Sequence, residues 1–257
     1  MNTYFQLISL LLLLLISCGG STSDVNDTTL SNSGNYNNTT PNNPTQSYTF
    51  NNELVWSDEF DQDGPVSQDK WNVETIPPNN GSWWNGELQF YTDKEDNIRV
   101  EEGLLKITAK YESYEGKNYT SARINTQDKF EFIYGRVEMR AKLPNWEGMW
   151  PAFWLLGANI DEIGWPNCGE LDILEHGDYV KDSTSNDPGL ISSAVHYGPQ
   201  DYSRQTTNVP GKIFFDTGQE RFIRSEKIIE KPFEEYHTYS MQWAPDKIQF
   251  FIDEEMH

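Results

Sequence analysis

Glu170-Leu171-Asp172-Ile173-Leu174-Glu175 sets three carboxylates and three aliphatic side chains in six consecutive positions. In an extended chain side chains alternate between two faces, so Glu170 and Asp172 share one face while Leu171 and Ile173 share the other. Glu175 then has the wrong parity for the acidic face. A β-bulge at Ile173-Leu174 restores it and turns two successive aliphatics toward a core. A helix accommodates the stretch badly: at about 3.6 residues per turn Glu170 and Glu175 point apart, and the aliphatics form no compact stripe. The stretch predicts a bulged strand with an acidic face and an apolar back.

The flanking sequence continues the theme. Residues 136–143, Arg-Val-Glu-Met-Arg-Ala-Lys-Leu, alternate charged and apolar side chains without a break, and Pro144 ends the run. Residues 104–109, 239–243 and 248–252 read as further strands, separated by Gly, Pro, Asn and Asp. No segment of a dozen residues after the N-terminal run has a helical period. The predicted fold is all-β, an antiparallel two-sheet β-sandwich or jelly roll with a concave cleft face.

Composition narrows the function. The chain has 257 residues, 40 Asp+Glu against 19 Lys+Arg, and a formal net charge of -21. That charge repels phosphate backbones and anionic lipid surfaces, which excludes nucleic acid as a partner and leaves membrane contact only through an anchor. Aromatic residues reach 14%, nine of them Trp, and some are expected to serve as stacking platforms for flat ligand faces rather than as core. Of the two cysteines, Cys18 and Cys168, the second reads as a small buried residue beside the acidic strand.

The N-terminus divides into two parts. Residues 1–17 carry an apolar run too short to span a bilayer as a helix but fitting an export signal, although no Lys or Arg precedes it. Leu15-Ile16-Ser17-Cys18 resembles the bacterial lipobox, which implies lipidation of Cys18 and an exported protein held at the outer membrane or cell surface of a Gram-negative bacterium. An ordinary signal peptide and a misplaced start codon are the alternatives. Residues 18–49, rich in Asn, Thr, Ser and Pro, cannot bury enough apolar surface to fold and read as a tether of about 30 Å mean reach. The folded domain occupies residues 50–257.

Two carboxylates facing one cleft are the minimum equipment for cleaving a glycosidic bond. A solvated acidic surface and a calcium cage are the competing readings. A calcium cage favours a Gly-punctuated Asp/Asn loop over an aliphatic-spaced strand, and the nearby Trp146, Trp150 and Trp154 supply sugar-stacking surfaces. Crowding three carboxylates together is expected to raise at least one pKa.

The bulged E-x-D-x-x-E pattern of Glu170, Asp172 and Glu175 resembles that of glycoside hydrolase family 16, in the branch of laminarinases and other bacterial endo-β-1,3-glucanases. Trp56-Ser57-Asp58-Glu59-Phe60, Asn85-Gly86-Glu87-Leu88-Gln89, Ser121-Ala122-Arg123-Ile124, Tyr134-Gly135-Arg136, Trp150-Pro151-Ala152-Phe153-Trp154 and His196-Tyr197-Gly198 match in order. The shorter E-x-D-x-E spacing of the mixed-linkage lichenases is absent. The resemblance implies a jelly roll and a retaining mechanism with Glu170 as nucleophile, Glu175 as general acid/base and Asp172 orienting Glu170. It further implies Trp150 and Trp154 lining the cleft, with Asn85, Arg123 and His196 hydrogen-bonding sugar hydroxyls. No cofactor or catalytic metal is required, a structural calcium ion is allowed in the complete domain, and the protein is expected to be a monomer.

The substrate implied is a laminarin-like β-1,3-glucan. Agarose, carrageenan or porphyran is the first alternative, and a non-catalytic glycan-binding jelly roll is the second. The family domain continues beyond the strand at residues 248–252, so the resemblance also implies truncation at the C-terminus, with an uncovered sheet edge, poor stability and weak activity.

Overall fold

The structure, a computed structural model, describes residues 53–177, 187–198, 213–216 and 221–257. The export signal, Cys18 and the tether lie outside these residues. Two antiparallel sheets face each other. The first has five strands in the order Ile213–Asp216, Arg221–Ile228, Leu190–Tyr197, Glu170–Glu175, Ala152–Leu156. The second has four, Glu255–Met256, Lys247–Ile252, His237–Ala244 and Gly135–Ala141. Smaller pairings complete the chain, among them a three-stranded sheet of Gln89–Tyr91, Lys117–Ser121 and Lys110–Tyr114. The one helix among the described residues, Ile160–Ile163, is a single turn. The all-β sandwich expected from the alternation is what forms.

The alternating run behaves as its pattern requires. Val137, Met139 and Ala141 turn inward and are almost wholly buried, while Arg140 is exposed. They meet Tyr239, Met241, Phe250 and Ile252 of the same sheet, and Phe153, Ile173, Leu174 and Ile191 of the other, in one continuous core. Arg136 departs from the pattern. It is buried, and it is kept charged by Glu138, whose Oε2 lies 2.7 Å from Nε, and by Glu254. Sequence alternation marks the face a side chain takes, not whether that face is covered.

Residues 255–257 are not a loose tail. Met256 and Glu255 pair with Phe251 and Ile252, the His257 amide donates to the Phe250 carbonyl, and the His257 ring lies 3.2 Å from Ser193 Oγ. This short pairing covers part of the edge that the sequence left bare.

Candidate active site

The acidic strand carries the predicted bulge. Against its Trp-bearing neighbour Asp172 pairs with Trp154 and Leu174 with Phe153, so two steps on one strand match one on the other. Against the strand Leu190–Tyr197, Asp172 pairs with Ala194 and Glu175 with Ser192. Ile173 and Leu174 are each 1% exposed, both facing the core, and Glu175 thereby returns to the side of Glu170 and Asp172. Directly opposed residues share a face. The same face therefore carries Trp154, His196 and, one strand further on, Arg224 and Phe222.

Each carboxylate has its own environment. Glu175 accepts a hydrogen bond from the Trp150 indole, Nε1 to Oε1, at 3.0 Å. Burial pushes its carboxyl above the usual range, opposed by that bond and by the positive charge of Arg224. Glu170 is raised first by burial and then by the negative charge of Asp172, with which it shares a hydrogen bond; Trp165 pulls the other way through a hydrogen bond of its own. Asp172, 3% exposed, is also raised by burial, and His196 opposes this with Nε2 at 2.9 Å from Oδ2. Two adjacent buried carboxylates joined by a hydrogen bond hold one proton between them and titrate as a pair.

Glycines set the frame. A Cβ on Gly157 would stand 2.0 Å from the Cys168 carbonyl oxygen, and the Gly157 amide donates to the Gly169 carbonyl, closing the loop between the Trp-bearing and acidic strands. Gly177, at φ +120°, leaves no room for a Cβ against the Met149 carbonyl, and this close approach brings the residue-150 segment over Glu175.

The expected binding residues separate. Trp150 and Trp154 join the carboxylates. Arg123 lies over Trp154, its Cζ 4.8 Å from the ring centroid, while Nε contacts Glu74 Oε1 at 3.0 Å. Arg123, expected to reach a sugar hydroxyl, is thus held over the Trp154 ring by an ion pair. His196, expected to reach a sugar hydroxyl, spends Nε2 on Asp172 and stacks on Phe222 at 4.9 Å and 20°. Asn85 is exposed, and its backbone amide donates to Glu87; burial raises the Tyr91 hydroxyl, with the charge of Arg123 opposing this and that of Glu87 adding to it. Cys168 is only half-buried, against expectation, and its burial raises rather than lowers the thiol pKa, which suits an inert residue.

Sequence reasoning missed Trp165, Arg224, Phe222 and Glu74. Only Trp165, five residues before a strand already singled out, carried a local signal.

Glu170, Asp172 and His196 place one donor atom each within 4.8 Å of one another. The three already contact one another, His196 to Asp172 at 2.9 Å and Asp172 to Glu170 through a hydrogen bond.

A jelly-roll sandwich whose open face presents two glutamates around a buried aspartate, beside indole rings, defines a carbohydrate-active protein of the glycoside hydrolase class. The chain belongs to the glycosyl hydrolases family 16, which matches residues 85–257. It is 36% identical over 208 residues to the "Beta-glucanase" of Rhodothermus marinus, a match covering 80% of this chain and 64% of that one. It is 34% identical over 212 residues to "Glucan endo-1,3-beta-glucosidase A1" of Niallia circulans, covering 78% of this chain and 28% of the relative. The chain thus spans less than two-thirds of both. The crystal structure of LamAcat from Zobellia galactanivorans superposes with a TM-score of 0.65 at 37% identity, covering 80% of this chain and 78% of that one.

Proposed function

We propose that the protein is an endo-acting retaining glycoside hydrolase of β-1,3-glucan. The bulge carries this reading, because it gives Glu170 and Glu175 a common face while leaving them five residues apart. In the first half-reaction the Glu170 carboxylate attacks the anomeric carbon as Glu175 gives its proton to the departing glycosidic oxygen, forming a glycosyl ester on Glu170. In the second Glu175 takes a proton from water, which displaces Glu170 with net retention.

Burial and the negative charge of Asp172 raise Glu170 further than burial raises Asp172, which His196 pulls back down, so the shared proton rests on Glu170 in the free protein. It passes to Asp172 before Glu170 attacks as the anion, and His196 keeps Asp172 in place. Burial raises the Glu175 carboxyl, which favours the protonated form that a proton donor to the leaving oxygen needs. The names of the relatives supply the substrate class, and the acidic chain suits an uncharged glucan better than a sulfated galactan. The proof is the product of laminarin digestion by the full chain. Oligosaccharides with the β-anomer appearing first by proton NMR are expected; the α-anomer first, or no release, would overturn the proposal.

We also infer an exported protein anchored through a lipid on Cys18. No helix among the described residues is long and apolar enough to cross a membrane. Membrane-fraction recovery in wild type and its loss in Cys18→Ala are the expected results; equal recovery of both in the membrane fraction would dismiss the anchor.

A further inference from the structure

The face that carries Arg123 continues past the cleft. Burial alternates along residues 119–124: Thr120 and Ala122 are buried and Ile124 packs on the core, while Tyr119, Ser121 and Arg123 face the other way. Tyr119 is in register with Gln89 on one side and Tyr111 on the other, so the three form a row across the small sheet. Tyr91 is in register with Ser121, and Gln89 Nε2 donates to Tyr91 Oη at 2.9 Å. One face therefore runs from Arg123, which lies over Trp154, along Ser121 and Tyr91 to Tyr119, Gln89 and Tyr111. Tyr119 and Arg123 are four positions apart, roughly 13 Å of extended chain.

The end of this line is unusual for a surface. Tyr111 is 69% exposed and Tyr119 39%, yet their rings are ordered against each other at 5.3 Å and 60°. An edge-to-face pair leaves a ring face open to solvent, and open aromatic faces backed by amide and hydroxyl groups are what pyranose rings stack on. A cross-strand tyrosine pair also stabilises an edge strand, but that role needs neither exposure nor continuity with the cleft.

We propose that Tyr111 and Tyr119 form a remote subsite that holds the polysaccharide chain several sugar units from the cleaved bond. The proposal rests on the β-glucanase reading above. A chain long enough to reach the shelf gains stacking that a short oligosaccharide bound only near Glu170 and Glu175 does not. The site thereby ranks substrates by length.

The test compares kcat/KM on laminarin with that on laminaritriose for the full chain and for Tyr111→Ala, Tyr119→Ala and the double variant. The polymer-to-trisaccharide ratio is expected to fall about three- to tenfold in the double variant, through KM rather than kcat. A ratio unchanged from wild type, including one where both rates fall together, would refute the shelf. Affinity electrophoresis in laminarin gels separates the two layers of the argument. If the wild type is retarded but releases no sugar, the catalytic reading fails, and the shelf is then decided by retardation alone: weaker in the tyrosine variants if it exists, equal if it does not.

Discussion

Replacing Trp150 by Phe removes one donor and leaves an aromatic ring. The lost interaction is the 3.0 Å hydrogen bond from the indole to Glu175, which acts on the anion and opposes the effect of burial. A hydrogen bond to a charged group contributes about 1.5–3 kcal/mol, and about 1.4 kcal/mol corresponds to one pKa unit, so Glu175 is expected to rise by about one to two units. The sign of the stability effect follows. Glu175 already has a folded pKa above its unfolded one, so its contribution is fully present below the ordinary glutamate range and is lost as pH rises through the folded value. Trp150→Phe raises the folded value further and extends that loss to higher pH. The variant should therefore fall further below wild type in stability as pH rises above the point where wild-type Glu175 ionises, whereas any cavity left by the smaller ring costs the same at every pH. If Glu175 is the proton donor, the alkaline limb of the kcat/KM profile on laminarin moves up by about one to two units as well. A limb that stays in place, or a stability deficit equal at pH 4 and pH 8, would refute the assignment of that proton to Glu175.

Further outcomes follow from the same geometry. Glu170→Gln and Glu175→Gln should each lower turnover on laminarin at least about a thousandfold while retaining the wild-type circular dichroism spectrum. Glu170→Gln should also unfold at higher temperature than wild type at pH 8 and not at pH 4, because a buried carboxylate raised by its neighbour destabilises the fold only when ionised. Leu174→Ala, at a 1% exposed bulge position, should cost about 2–5 kcal/mol in denaturant titrations. Gly157→Ala drives a methyl into the Cys168 carbonyl and should lower both thermal stability and kcat, since the loop it distorts leads directly into Glu170.

What could be read from the chain and what could not divides by the range of the interaction. The bulge was legible because it is a parity conflict inside six residues. Val137, Met139 and Ala141 were legible as a core face for the same reason. The roles of His196 and Arg224 were not, because each depends on strand register: His196 meets Asp172 only because Glu170 is paired with His196 and Asp172 with Ala194, and nothing near residue 224 announces a neighbour at residue 175. Arg123 shows the middle case. Its sequence context pointed to the cleft, but its ion pair with Glu74, 49 positions away, belongs to the tertiary fold. The hairpin of residues 110–121 escaped because Lys, Tyr, Glu, Ser and Asn alternate without any clear change in hydrophobicity.

The bulge has a consequence at the level of the gene. Deleting the codon for either Ile173 or Leu174 would leave acid-aliphatic-acid-aliphatic-acid, a regular strand whose three carboxylates still share one face. The change therefore keeps the orientation of the acids and removes one core side chain. Two forms of the acidic strand, bulged and regular, stand one in-frame triplet apart, with no inverted intermediate between them. The main barrier to crossing is the core volume that a second buried aliphatic fills, so compensating substitutions around Phe153 and Ile191 would open the route before any change to the acids themselves.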